Sequence, residues 1–433
     1  VTRDGGLELW LEIIEEITDG TGSYLLILDE SHQIRKRYPG RFSNRRKGKK
    51  ERLAFSRINN LVNTVGNKGD KVKALLLSGS PYATDIDNLN TQLHLLPHTK
   101  QSTALFPDYD DEGKVWQINK SEEFIELPVV HKLTTPHVAK YYNEGNFAED
   151  PYITFDDSKG YFPNVTLYNM YSPLLFEEQI SDLLAKGYFD LDTTQIYREN
   201  ITTQIKLSWG SSPLALLEML ERVVDTPDGR KQFDFAERNK SQFAVSKSER
   251  QQVLEPIIQE LARINPLDDP KVQHLLHLVN QFCPGEKIII FCERKATAYY
   301  LERALQSLKP ELRIYSTIKA PKEVKGINSY DLKKDKEIER AITVFAPIAN
   351  DAVGRSEETY DIFIGTDAYG VGVNMQDACV VVNYDIAWTP IEPTQRAGRI
   401  LRFWKEPRKI HLYTLVPIFR QQKNVQHDLL EKT

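Results

Sequence analysis

The segment Gln395-Arg396-Ala397-Gly398-Arg399-Ile400-Leu401-Arg402 spaces three arginines at intervals of three residues. On a short helix that spacing would bring several guanidinium forks towards one face. Arginine keeps its charge and grips phosphate oxygens in pairs, so such a face suits a polyphosphate. Far upstream, Asp29-Glu30-Ser31-His32 follows directly on Tyr24-Leu25-Leu26-Ile27-Leu28, an apolar run that reads as a buried parallel strand. Open α/β sheets carry ligand chemistry at the carboxyl ends of their strands, where this acidic pair falls. There Asp29 would hold Mg²⁺ through water, and Glu30 would orient or deprotonate an attacking water. One pole of the chain suits a metal and a water, the other a γ-phosphate.

Further segments repeat the pattern of a strand followed by small or polar residues. Leu75-Leu76-Leu77 runs into Ser78-Gly79-Ser80-Pro81, whose small side chains let a phosphate or another backbone approach closely. Lys287 to Cys292 leads into Glu293-Arg294 and a helix expected over 295–307. Ile362-Phe363-Ile364 ends in Gly365-Thr366-Asp367, with Gly370 and Gly372 beyond; a hydroxyl and glycines there suit contact with a sugar-phosphate backbone. Singly, each is an ordinary strand-to-loop junction, and their order carries the signal. A basic run from Arg35 to Arg52, including Arg45, Arg46 and Lys47, either neutralises phosphates without reading sequence or is a solvated loop.

These segments need a scaffold. At 433 residues the chain exceeds one ordinary core, so two or three domains are expected. Apolar runs at 24–28, 74–77, 287–291, 361–365, 379–384 and 411–416 predict strands, clustered before residue 110 and after 285. Between the clusters, helical periodicity appears near 173–187, 211–224 and 250–264. Leu7, Leu11, Ile14 and Ile17 mark a further apolar helix face near the amino terminus. Alternating strands and helices predict an α/β fold with parallel sheets.

Composition narrows the class. With 40% hydrophobic and 27% charged residues the chain reads as soluble and globular. It has no membrane-length apolar run and no signal-peptide pattern, and no membrane partner is expected. Its net charge of −5 means that any nucleic-acid surface is local. Cys283, Cys292 and Cys379 lack metal-site spacing, which fits a reduced, cytoplasmic setting without structural zinc.

Taken in order, the segments resemble superfamily-two helicases and translocases. Motif II corresponds to Asp29–His32, motif III to Ser78–Ser80, motif IV lies near Phe291, motif V spans Thr366–Asn374 and motif VI is Gln395–Arg402. Within that superfamily the chain looks most like the Swi/Snf-type translocases. Leu75–Pro97, ending in Leu-Leu-Pro, is similar to their motif III region. Asn383-Tyr384-Asp385-Ile386-Ala387-Trp388-Thr389-Pro390 resembles their asparagine-proline element. Two departures stand out. Motif II ends Ser-His rather than Ala-His, and motif VI reads Gln-Arg-Ala-Gly-Arg, a form similar to bacterial helicase-like proteins of restriction and phage defence.

The resemblance implies two RecA-like parallel-sheet lobes, the first incomplete, with a mainly helical insertion between them. The expected division is 1–130, 131–280 and 281–433. It also implies ATP and Mg²⁺ as ligands and DNA, most naturally duplex, as partner. Asp29 would coordinate Mg²⁺ through water, Glu30 would activate water, and Arg399 and Arg402 would act as arginine fingers. Gln395 and Arg396 would support them, with Gly372 and Asn374 near the nucleotide. Ser78, Gly79 and Ser80 would couple nucleotide state to the nucleic acid, which Thr366, Arg294 and the basic run would contact.

One family element is missing from the sequence. Neither Gly-Lys-Thr nor Gly-Lys-Ser occurs, and only 28 residues precede Asp29. Without a phosphate loop the β- and γ-phosphates lose their main cradle. The expectation is therefore a longer motor truncated before motif I, or a companion polypeptide that supplies the missing half-lobe. An open sheet edge and an uncovered core face should result, and the chain alone should not hydrolyse ATP. The function expected is ATP-driven translocation on duplex DNA in bacterial phage defence, restriction or repair. Two alternatives stay open: a strand-separating DNA or RNA helicase, and a non-catalytic nucleic-acid-binding assembly subunit.

Overall fold

The computed structural model describes positions 16, 31, 34, 55 and 58, residues 24–29, 72–78, 86–93 and 95–96, and residues 152–419 apart from 156–157, 191–194, 229–242, 284, 325–326, 355–358, 367–372 and 388–390. The chain divides into two compact units, Val1–Thr134 and Thr135–Thr433.

In the first unit β1 (Tyr24–Leu28) pairs in parallel with β2 (Val72–Leu76), and Leu28 lies opposite Leu76. Helix α1 (Ile86–Leu93) follows. Side chains alternate across a strand, so Leu26, Leu28 and Leu76 share one face, packed on Phe55, Ile58 and Leu95. The opposite face is open: Leu25 is 59% exposed and Ile27 55%, with Leu75 and Leu77 beside them. β1 is parallel, as its sequence predicts, but instead of being buried it is partly covered on one face and exposed on the other.

The second unit begins with β3 (Tyr152–Phe155), β4 (Ser158–Tyr161) and β5 (Asn164–Pro173). Helices α2 (Glu177–Ala185), α3 (Gln195–Trp209), α4 (Pro213–Asp225), α5 (Lys247–Leu261) and α6 (Pro270–Phe282) come next. Then follow β6 (Ile288–Cys292), α7 (Lys295–Leu308), β7 (Ile314–Ser316), β8 (Lys322–Val324), β9 (Ile327–Ser329) and α8 (Asp335–Phe345). The unit closes with β10 (Ile362–Thr366), β11 (Val380–Asn383), α9 (Ile391–Ala397) and β12 (Lys409–Ile418).

Six of these strands form one sheet in the order β5-β12-β11-β6-β10-β7, every pairing parallel. The central strands β6, β10 and β11 are buried at every position, which is why their sequences are unbroken apolar runs. Ile288, Ile290, Ile362, Ile364 and Val382 face α6 and α7 through Leu275, Leu301 and Leu305. The alternate residues Ile289, Phe291, Phe363 and Val381 face α8 through Ile338, Ile342 and Phe345. A second core holds α2 to α5 together around Trp209, Leu220, Val223 and Leu254.

The stretch 131–280 departs from a helical insertion. β5 lies inside it and pairs with β12 along its whole length, from Asn164 opposite Lys409 to Pro173 opposite Ile418. Helix α6 also lies inside it, and its Val272, Leu275 and Val279 belong to the sheet's own core. An edge strand with one face towards solvent needs no continuous apolar run, so β5 carries Val165, Leu167 and Tyr171 exposed and gives little signal. Among the described residues no helix is long and apolar enough to cross a membrane.

Candidate functional site

In the first unit the loops after two neighbouring parallel strands lie side by side. Asp29 is an exposed turn residue directly after β1, and Ser78 is half-buried after β2. Leu77 N–H donates to Leu28 O at 2.9 Å and Ser31 N–H donates to Leu77 O at 3.0 Å, which locks the two loops together. Asp29 thus stands at a strand's carboxyl end, the position from which a carboxylate could hold Mg²⁺ through water. Glu30, His32, Gly79, Ser80, Arg45, Arg46 and Lys47 lie outside the described residues, as do Leu7, Leu11, Ile14 and Ile17 of the expected amino-terminal helix.

In the second unit Thr366, Asn383 and Arg396 meet at the carboxyl edge of the sheet. Register sets Thr366 beside Cys292 and Asn383 beside Phe291, so the exits of β10, β6 and β11 are adjacent. Thr366 is buried at the end of β10, and Gly372 lies outside the described residues. The carbonyl of Asn374 accepts from Asn350 Nδ2 at 3.0 Å.

The arginines of 395–402 do not share one helix face. Helix α9 ends at Ala397, and Arg399 sits in the turn after it, buried, while Arg402 lies beyond and is exposed. Gly398 sits at the break, where an added Cβ would come within 3.3 Å of Gln395 O and 3.4 Å of Thr394 O. Gln395 is half-buried on α9. Arg396 is turned inwards and only 1% exposed. Its Nη1 donates to Asn383 Oδ1 at 3.2 Å, its Nη2 pairs with Glu293 Oε1, and its guanidinium lies 5.5 Å from the Phe291 ring centroid. Arg294 is likewise engaged within the fold: its Nη2 donates to Gln204 Oε1 at 3.0 Å and Gln204 O at 3.3 Å. Burial lowers the pKa of Arg294 from the usual arginine value.

The same edge holds a buried polar cluster that the sequence does not announce. Lys271, on the first turn of α6, donates from Nζ to Gly210 O at 2.8 Å, Ser211 O at 3.0 Å and Asp385 Oδ1 at 3.2 Å. Asp385 Oδ2 accepts from Glu293 N–H at 2.9 Å and from Ser211 Oγ at 3.0 Å. Thr297 Oγ1 lies 2.6 Å from Ser211 Oγ and 2.8 Å from Ser212 Oγ. The Lys271 ammonium also lies 4.1 Å from the Tyr384 ring centroid. Two capped helix starts fix the geometry. Ser212 accepts from Ala215 N–H at 3.2 Å ahead of α4, and Asp269 accepts from Lys271 N–H at 2.9 Å ahead of α6. Proline follows each cap, and that cap-then-proline pattern was the available sequence signal for this corner. Among the described residues no group of three or more His, Cys, Asp or Glu side chains is placed to hold a metal ion.

Comparison with known proteins bears on this arrangement. Residues 270–403, from the start of α6 past motif VI, match the helicase conserved C-terminal domain. The uncharacterized ATP-dependent helicase YqhH of Bacillus subtilis is 26% identical over 178 residues, covering 39% of this chain and 26% of that protein. Helicase ARIP4 of Xenopus tropicalis is 26% identical over 163 residues, covering 36% of this chain and 11% of that protein. The chain thus spans about a quarter or less of the length of these relatives. Among solved structures, the Pyrococcus furiosus Hef helicase domain is 13% identical, with a TM-score of 0.44, covering 98% of this chain and 77% of that one.

Proposed function

The chain carries the conserved C-terminal domain of a helicase together with superfamily-two motifs of Swi/Snf-like form, and from that premise we infer that it serves an ATP-dependent motor that moves on double-stranded DNA. The observation that carries the reading is the order of the motifs on the strand ends. Asp29 and Ser78 follow adjacent parallel strands in one unit, and Thr366, Asn383 and, through Arg396, the start of motif VI meet at one sheet edge in the other.

In this reading the Asp29 carboxylate would hold Mg²⁺ through water and Glu30 would take the proton from the attacking water. Bound Mg²⁺ would neutralise charge on the β- and γ-phosphate oxygens. Arg399 and Arg402 stabilise charge on the γ-phosphate, with Gln395, Gly372 and Asn374 near the nucleotide. Arg396, paired with Glu293 and Asn383, holds motif VI in place rather than touching phosphate. Ser78, Gly79 and Ser80 pass the nucleotide state to the DNA, whose backbone meets Thr366 and the basic run around Arg45, Arg46 and Lys47. Arg294 joins that contact only by releasing Gln204. The open face of Leu25, Ile27, Leu75 and Leu77 supports completion of the first lobe by further polypeptide that carries a phosphate loop. The 433 residues alone would not turn over ATP. The form of motif VI supports a setting in bacterial phage defence, restriction or repair, and the spacing of the three cysteines supports a reduced, cytoplasmic one.

The test is ATP hydrolysis with duplex DNA, single-stranded DNA or RNA added, wild type against Glu30→Gln. It is run on these 433 residues, alone and joined to a segment that carries a phosphate loop. Duplex-stimulated turnover that the variant abolishes supports the translocase. Preference for single strands moves the assignment to a strand-separating helicase. Binding without any stimulation leaves a nucleic-acid-binding assembly subunit.

A further inference from the structure

The buried cluster at the sheet's carboxyl edge runs without a break from the helical part of the second unit to motif VI. Lys271 ties the turn between α3 and α4 to Asp385, Asp385 holds the backbone of Glu293, and Glu293 holds Arg396 on α9. Lys271 is 4% exposed, Asp385 6% and Arg396 1%, while Glu293, which joins the last two, is partly open to solvent. All three Lys271 donors are spent, two of them on main-chain carbonyls of the α3–α4 turn. The Asp385 carboxylate is spent as fully, on Lys271, on Ser211 and on the main chain at the exit of β6.

We propose that Lys271 and Asp385 are positioning residues that set motif VI from the helical elements α3 and α4. Any shift of the α3–α4 turn reaches α9 through Glu293 and Arg396, so the approach of Arg399 and Arg402 to phosphate is set from residues distant in sequence. The role deepens the motor reading and rests on motif VI being its phosphate-facing element.

Stability alone cannot explain such a cluster. Replacing a buried ion pair with apolar residues of similar volume is often neutral or stabilising, whereas removing one partner is costly. That asymmetry separates positioning from a merely structural role. Amide hydrogen exchange of residues 391–402 is compared with melting temperature for the 433-residue chain without nucleotide. The variants are Asp385→Asn, Glu293→Gln and the double change Lys271→Met with Asp385→Leu. Asp385→Asn is expected to lower the melting temperature and speed exchange in 391–402 by about tenfold or more, as loss of buried charged hydrogen bonds implies. Glu293→Gln, whose side chain is partly exposed, should speed exchange with little change in melting. The double variant should recover the melting temperature while 391–402 stays fast, because no carboxylate remains to hold Glu293 N–H. Exchange that recovers together with melting, or that never changes, overturns the proposal. Because no nucleotide is present, this outcome is independent of whether the protein proves to be a DNA-stimulated ATPase. A slow, unaltered 391–402 beside duplex-stimulated hydrolysis would reject the positioning role alone.

Discussion

Ser31 Oγ lies 2.8 Å from Gln92 Oε1, donating across 61 residues of sequence from the loop after β1 to helix α1. Both side chains are buried, and the same hydroxyl is 3.2 Å from Leu77 O. The serine that replaces the usual alanine of motif II thus bolts that motif to the helix leading into Leu95-Leu96-Pro97. A neutral buried hydrogen bond contributes about 1 kcal/mol net. Ser31→Ala should therefore cost about that much in the first unit, read by denaturant melting. It should also loosen α1 before it affects the second unit, read by hydrogen exchange of residues 86–93. An unchanged α1 would mean that the hydroxyl serves Leu77 O alone.

Much of this fold was legible because burial on both faces writes itself into sequence. β6, β10 and β11 are continuous apolar runs, and the expected strands fall within a residue or so of them. Helices α4, α5 and α7 were legible from periodicity. β5 was not, since an edge strand with Leu167 three-quarters exposed carries no buried run. Nor was the role of Arg396, because a spacing of three presumes a helix that continues, while α9 stops one residue short of Gly398. Lys271 was the least visible: its partner Asp385 lies 114 residues away, and no local pattern encodes a pairing at that distance.

His274 gives the second unit an acid-sensitive joint. Its Nδ1 lies 2.8 Å from Ser172 Oγ on β5, and burial holds its pKa below the ordinary histidine value, with His277 adding to the shift. The neutral ring is the form the fold prefers. Its contribution is complete above about pH 6.5, the unfolded value, and is lost as pH falls through the lower folded value. Melting temperature should drop between pH 7.5 and 5.5, and His274→Gln should flatten that part of the profile. Identical slopes in the two proteins would show that other groups carry the acid sensitivity.

The two faces of the first unit's sheet should answer oppositely to charge. Ile27 is 55% exposed, whereas its neighbour Leu28 packs towards Phe55, Ile58 and Leu95. Ile27→Lys should change stability by no more than about 0.5 kcal/mol, the range for surface sites away from special features. It should also reduce binding of a hydrophobic dye and self-association, since it breaks an exposed apolar patch. Leu28→Lys should unfold the unit. If Ile27→Lys proves equally damaging in these 433 residues, that face is covered in solution.

Tyr384 separates what a buried ring contributes from what its hydroxyl costs. The residue is fully buried, its ring faces the Lys271 ammonium at 4.1 Å, and among the described residues its hydroxyl has no hydrogen-bond partner. Burial pushes the hydroxyl's pKa well above the usual tyrosine value, so it stays protonated and neutral. An unpaired buried hydroxyl costs roughly 1–3 kcal/mol that a phenyl ring of the same shape does not. Tyr384→Phe keeps the ring over Lys271 and should stabilise the second unit by about 1 kcal/mol, seen as a higher denaturant midpoint with an unchanged slope. Tyr384→Leu removes the aromatic face as well and should destabilise it, because an ammonium over a buried ring is worth up to about 2 kcal/mol. A destabilised Tyr384→Phe would instead place an ordered water on that hydroxyl, and the cluster around Lys271 would then extend through solvent.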